Sequence, residues 1–253
     1  MKLLFIGTGA ADWVLKDRKA GEFFRRLTAV KINDDLMIDC SPDTLDYAEK
    51  NTEDLKNIKN MLITHTHSDH YSPDAIRALF GQNIRVWAEK AAENMIMHDM
   101  PELCESTLEM FKENSVGGYG VIPVPSGHSV ADADQTPVNY IITYRDKRIF
   151  WGCDGAWLPN RSWHEIKKYK YDLFVLDGTL GNAYGDYRIF EHNNLAMIHE
   201  IAGVIKNCGL IKDGGKIMIS HMSRYSHEEH GKLQKQLDKD GIVAAYDELE
   251  IEI

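Results

Sequence analysis

The chain has 253 residues and a formal net charge of −10. At that length one α/β domain buries enough surface to fold without a disulfide or a structural metal. With 43% hydrophobic and 27% charged residues it is neither disordered nor fibrous, and its acidity argues against a protein that grips nucleic acid through its phosphates.

In chain order, Lys2 to Ile6 reads as a buried strand ended by Gly7-Thr8-Gly9. Leu27 to Ile32 and Leu36 to Asp39 form a hairpin around Asn33-Asp34-Asp35. Pro42 to Lys50 reads as a helix, Ile58 to Thr64 as a strand, Pro73 to Phe80 as a helix and Ile84 to Ala88 as a strand. Glu89 to Glu113 has a helical pattern, interrupted at Pro101, and reads as an insertion. It holds Met95, Met97, Met100 and Met110, which suit core filling, a lid or a homodimer contact. Strands follow at Tyr119 to Val124, Val138 to Arg145, Arg148 to Gly152 and Leu173 to Leu176. Asn194 to Asn207 is an amphipathic helix and Lys216 to Ser220 a strand. Ser226 with Glu229 three residues on has the form of a capping box. Ile242 to Ile253 is again β-rich. No linker or repeat divides the chain, so residues 1–253 are expected to form one layered α/β domain.

The cysteines, Cys40, Cys104, Cys153 and Cys208, form no CxxC pair, and no secretory signal is visible. A cytoplasmic protein is expected. No apolar run reaches the ~18 residues of a membrane span.

Eleven histidines are many for a domain of this size. His65, His67, Asp69 and His70 form H-x-H-x-D-H directly after an apolar strand. Side chains two apart in an extended segment point the same way, so His65 and His67 converge on one cation. Where the chain turns, Asp69 and His70 face a second. Imidazole and carboxylate suit zinc, manganese or iron(II).

This motif resembles that of the metallo-β-lactamase superfamily of hydrolases. The family's later positions are matched by His128 in Ser126-Gly127-His128-Ser129, Asp154 in Gly152-Cys153-Asp154-Gly155 and His221 in Ile219-Ser220-His221-Met222. Asp39 matches an early structural aspartate. The resemblance implies a four-layer αββα sandwich of two mixed sheets flanked by helices. It implies two divalent metal ions, zinc or manganese before iron. His65, His67 and His128 would hold one, and Asp69, His70 and His221 the other. Asp154 would bridge them with a hydroxide that attacks the substrate, and Asp69 would count among the catalytic groups.

His192, in Glu191-His192-Asn193-Asn194, stands where one branch of that superfamily carries an extra histidine. The branch includes the tRNA 3′-processing endonucleases and the cyclic ribose-phosphate phosphodiesterase of carbon–phosphorus bond cleavage. There the histidine is thought to act on the phosphate or leaving oxygen, a task that suits imidazole at neutral pH. Gly7 to Asp12 and Phe24-Arg25-Arg26-Leu27-Thr28 look similar to that branch too, so Arg25 and Arg26 are candidates to meet a phosphate. The expected activity is a phosphodiesterase for a small cyclic or ribose-based phosphate ester, with no membrane partner. A lactonase of the same fold, and a metal-dependent sensor without turnover, are the alternatives. His98, His164 and His199 read as structural or exposed, and His227 and His230 as a solvated helix face.

Overall fold

The structure is a computed structural model describing residues 1–20, 23–104 and 106–253. Its first half contains β1 (Lys2–Gly7), β2 (Ala29–Ile32), β3 (Leu36–Ile38), α1 (Thr44–Leu55), β4 (Asn60–Leu62), α2 (Pro73–Phe80), β5 (Arg85–Trp87) and α3 (Lys90–Asp99). The second half contains β6 (Asn114–Val116), β7 (Tyr119–Pro125), β8 (Val138–Tyr144), β9 (Lys147–Gly152), α4 (Asn160–Ile166), β10 (Tyr171–Asp177) and α5 (Leu195–Asn207). It continues with β11 (Ile211–Ser220), α6 (His230–Asp238), β12 (Ile242–Ala244) and β13 (Leu249–Glu252).

Two mixed sheets result. One has the order β13-β1-β2-β3-β4-β5 and the other β12-β11-β10-β9-β8-β7-β6. Strand alternation sets the layering. On β1, Leu3 and Phe5 enter the core between the sheets, and Leu4 and Ile6 face α1, α2 and α3. On β10, Leu173 and Val175 enter the same central core, whereas Phe174 and Leu176 pack against α5 and α6. Both faces of each sheet are thereby covered, which is the expected four-layer αββα sandwich.

The segment 89–113 departs from expectation. Its helix ends at Asp99, and no helix occurs among the described residues 100–113; Glu105 lies outside the described residues. Pro101 has no N–H to continue the ladder. The Glu93 carboxylate instead accepts from Ser106 N and Thr107 Oγ1, tying the extended stretch back to α3. Met97 and Met100 pack into the core over the first sheet and Met110 against the central core.

Helix α6 begins at His230, three residues later than the capping-box pattern suggests. Ser226 Oγ accepts from Ser223 Oγ at 3.2 Å, and Glu229 takes the cap position. Two short elements, β6 and α4, have too few residues to display a period in the sequence.

Candidate metal centre

The six candidate ligands after β4, β7 and β11, with Asp154 after β9, meet at the carboxyl ends of strands from both sheets, where open α/β sheets bind ligands. The first sheet contributes His65, His67, Asp69 and His70, and the second contributes His128, Asp154 and His221.

Potential ligand atoms fall into four overlapping groups within 4.8 Å of one another: His65–His67–His128, Asp69–His70–His221, His65–His70–Asp154 and Asp154–Asp177–His192–His221. His67 Nδ1 lies 3.1 Å from both His65 Nε2 and His128 Nε2. Asp154 Oδ2 sits between the groups. It is 4.0 Å from His65 Nε2, 3.7 Å from His70 Nε2, and 3.6 Å from both His128 Nε2 and His221 Nε2.

The tautomers fixed by the surroundings test whether cations belong there. His70 Nδ1 donates to Asp39 Oδ2 at 2.8 Å, leaving its Nε2 lone pair inward. His221 Nδ1 faces Thr179 Oγ1 at 2.8 Å and Asp177 Oδ2 at 3.5 Å, so its Nε2 points inward too. These two Nε2 atoms are 3.1 Å apart. Two Nε2 lone pairs facing each other at that distance repel, so the pair needs a proton or a cation there. The donor set therefore fits divalent cations. No cysteine belongs to any of these groups. Burial pushes the Cys153 thiol well above its usual pKa, and Asp177 and Asp154 add to this.

Charge in the bare cluster is balanced by protons. Burial opposes the His70 imidazolium, but Asp69 and Asp39 outweigh it and raise its pKa well above the ordinary value. Burial and neighbouring His70 push His65 well below it. Burial alone would raise the Asp69 pKa, yet His70 and His221 hold it well below the usual carboxylate range.

Asp39 is fully buried and in left-handed backbone at φ 58°, conformationally costly for a non-glycine residue. Its carboxylate accepts from Thr64 N at 2.8 Å, as well as from Thr64 Oγ1 and His70. Asp39→Asn should weaken binding of one cation by roughly 10–100-fold, through loss of the charge that orients His70. A chelator-competition titration that finds both affinities unchanged would contradict this.

His192 lies between β10 and α5, its ring centroid 5.8 Å from that of His221 and 5.2 Å from that of His128. Its Nδ1 contacts Asp154 Oδ1 at 2.6 Å and Asp177 Oδ2 at 3.1 Å. Burial lowers its pKa, but Asp154 and Asp177 outweigh this and raise it to about 11. Its Nε2 makes no hydrogen bond among the described residues.

Asp177 was missed by the sequence reading. It is fully buried, and its Oδ1 accepts from Thr179 N and Asn193 N, both at 3.0 Å. It therefore braces His192 and His221 together. The available signal was a carboxylate closing the apolar run Leu173–Leu176 just before Gly178-Thr179.

Arg25 and Arg26 are not brought to the cluster. Arg25 Nη1 donates to Thr8 Oγ1 at 2.6 Å and to the Ala245 carbonyl at 2.7 Å. Arg26 pairs with Asp46 at 2.7 Å and Glu248 at 3.1 Å. Both guanidinium groups are buried against the sequence-distant 245–248 segment.

His227 and His230 do not form a solvated helix face. His230 Nδ1 accepts from Arg25 Nη2 at 3.1 Å. His227 Nε2 donates to the Gly178 carbonyl. Burial, with Arg25 nearby, lowers the His227 pKa to about 4, against 6.5 for a free imidazole. The unfolded chain then binds the extra proton first, so stability falls as pH drops from 6.5 toward 4. The loss from this group reaches about 3 kcal/mol and levels off below that window. His227→Asn should flatten that part of the stability–pH curve. An unchanged slope in chemical denaturation would remove this role.

A cavity of about 270 Å³ opens over the cluster, lined in part by His67, His128, Asp154, His192 and His221. Asp12, Thr179, Arg188, Glu191 and Ser223 complete much of its wall.

Three solved structures share the fold. Zn(2+)-bound PqqB from Methylobacterium extorquens superposes with a TM-score of 0.77 at 15% identity, covering 100% of both chains. A diphosphatase from the PhnP family gives 0.73 at 20% identity, covering 100% of this chain and 97% of the other. The short form of human tRNase Z gives 0.66 at 15% identity, covering 100% and 99%. No curated protein matches the sequence significantly. Residues 35–222 match the family model described as beta-lactamase superfamily domain. With that match spanning most of the sequence and the two sheets arranged as described, the chain belongs to the metallo-β-lactamase superfamily.

Proposed function

We propose that the protein is a metal-dependent phosphodiesterase acting on a small cyclic or ribose-based phosphate ester. The observation that carries this reading is His192, clamped through Nδ1 by two carboxylates at the wall of the metal cavity. A histidine there can protonate the alkoxide expelled from phosphate, the role that the extra histidine of the similar branch is thought to play.

His65, His67 and His128 would hold one divalent cation, and Asp69, His70 and His221 the other, with Asp154 shared between them. Zinc and manganese suit these donors first, with iron(II) also compatible. When bound, the cations supply Lewis acidity toward phosphate oxygens and acidify water. The chain's own residues supply the rest. Asp154 and Asp177 hold the His192 ring on one edge. Nε2 then delivers its proton to the departing oxygen. Asp69 accepts from His221 Nε2 at 3.3 Å in the bare protein and would turn to a cation on loading.

The modest cavity and the charge of −10 favour a small ester over a polyanion such as tRNA. No helix among the described residues is long and apolar enough to cross a membrane. All four cysteines are unpaired, which fits the reducing cytoplasm.

The test is turnover of bis-p-nitrophenyl phosphate with manganese or zinc, beside a lactone panel. Diester hydrolysis supports the proposal. Lactone opening with untouched diesters replaces it with a lactonase. No turnover with any divalent metal favours a sensor.

A further inference from the structure

Arg188 is the only lysine or arginine lining the metal cavity among the described residues. It sits in a single 3₁₀ turn, Tyr187–Phe190, immediately before His192. Asp186 fixes that turn from two sides. Its Oδ1 accepts from Arg188 N at 2.9 Å, and its carboxylate grips the guanidinium through Nε at 3.0 Å and Nη2 at 2.7 Å. The two parallel contacts lock the plane of the guanidinium. Its Nη1 makes no hydrogen bond among the described residues.

The Arg188 carbonyl accepts from Glu191 N and His192 N, both at 2.8 Å. The cation and His192 therefore belong to one braced turn. The two acidic wall residues outside the proposed metal ligands have other partners. Asp12 accepts from Ser223 Oγ at 2.6 Å and from Arg224 N at 2.9 Å, while Glu191 accepts from Ser129 Oγ. No hydrogen bond or ion pair joins either acid to Arg188 among the described residues, although Asp12 lies near enough to raise its pKa alongside Asp186. A surface arginine serving only solubility would not need a two-sided clamp at the edge of a catalytic cavity.

We propose that Arg188 is a specificity-determining residue that binds a second anionic group on the substrate, distinct from the phosphodiester under attack. This rests on the phosphodiesterase reading and narrows it to esters carrying an additional phosphate or carboxylate. Asp186 acts as the positioning residue that presents Nη1 to that group.

The test compares matched pairs on the metal-loaded protein. Calorimetry would measure binding of thymidine 3′,5′-bisphosphate against thymidine 5′-monophosphate. Kinetics would compare the p-nitrophenyl 5′-phosphodiester of thymidine with and without a 3′-phosphate. The second anion should strengthen binding by roughly 10–100-fold, the range of a hydrogen bond to a charged group. Arg188→Ala should bring that ratio close to one, the loss falling on KM rather than kcat. Arg188→Lys should restore part of it, because charge survives without the fork. Equal binding of the two ligands by the native protein, or a ratio that survives Arg188→Ala, overturns the assignment. If the binding ratio behaves as expected while neither diester is hydrolysed, Arg188 stands as an anion-binding residue and the phosphodiesterase reading falls.

Discussion

Asp154→Ala should reduce the bound metal from two ions per chain to at most one. It should also lower diester turnover by at least roughly 10³-fold, about 4 kcal/mol of transition-state stabilisation. One carboxylate oxygen lies 3.6–4.0 Å from nitrogens of both histidine groups, so its removal uncouples the two ion positions. Two divalent ions held close together repel, and without a shared anion the weaker position should empty first. The other oxygen contacts His192 Nδ1 at 2.6 Å, so the acid loses an anchor in the same substitution. Metal analysis after exhaustive dialysis is the direct measurement. Two retained ions per chain would remove Asp154 from its bridging role.

His192→Ala should have the next largest effect, with a different signature. Both ions should remain, since His192 lies outside the two proposed triads and meets the cluster only in the group with Asp154, Asp177 and His221. Turnover of esters with alkyl leaving groups should fall by about 10²–10⁴-fold, the usual contribution of a general acid. A p-nitrophenolate departs without needing a proton, so its esters should slow far less. A series of leaving groups of graded acidity reads this as a steeper dependence in the variant. Uniform slowing across the series would mean that His192 orients substrate without donating the proton.

The sequence exposed the candidate ligands because their chemistry is local. His65, His67, Asp69 and His70 crowd into six positions after an apolar strand, and no ordinary surface loop needs that spacing. His128, Asp154 and His221 were readable through order and strand context. Alternation of apolar residues likewise foretold most strands, as in β1, where Leu3 and Phe5 serve one core and Leu4 and Ile6 another. Interactions between sequence-distant groups were not legible. Two adjacent arginines near a strand look like phosphate ligands until the 245–248 segment arrives from the far end of the chain to occupy them. Asp177 is one aspartate among many, and only the fold places it between His192 and His221. Ser226 looked like a helix cap because nothing local reveals that Ser223 and His227 tie its surroundings elsewhere.

The division of candidate ligands between the two sheets has a consequence for the order in which a growing chain makes them. Residues emerge from the ribosome in sequence, although a domain folds as a unit. Once β9 and the turn after it are out, His65, His67, His128 and the shared Asp154 are all present. The other position still lacks His221, which waits until β10, α5 and β11 have been made. During that interval a nascent chain has one near-complete claim on a cation and one incomplete claim. Under the proposed ligand sets the last donor to be made is His221, so both positions can be complete only when β11 has joined the second sheet.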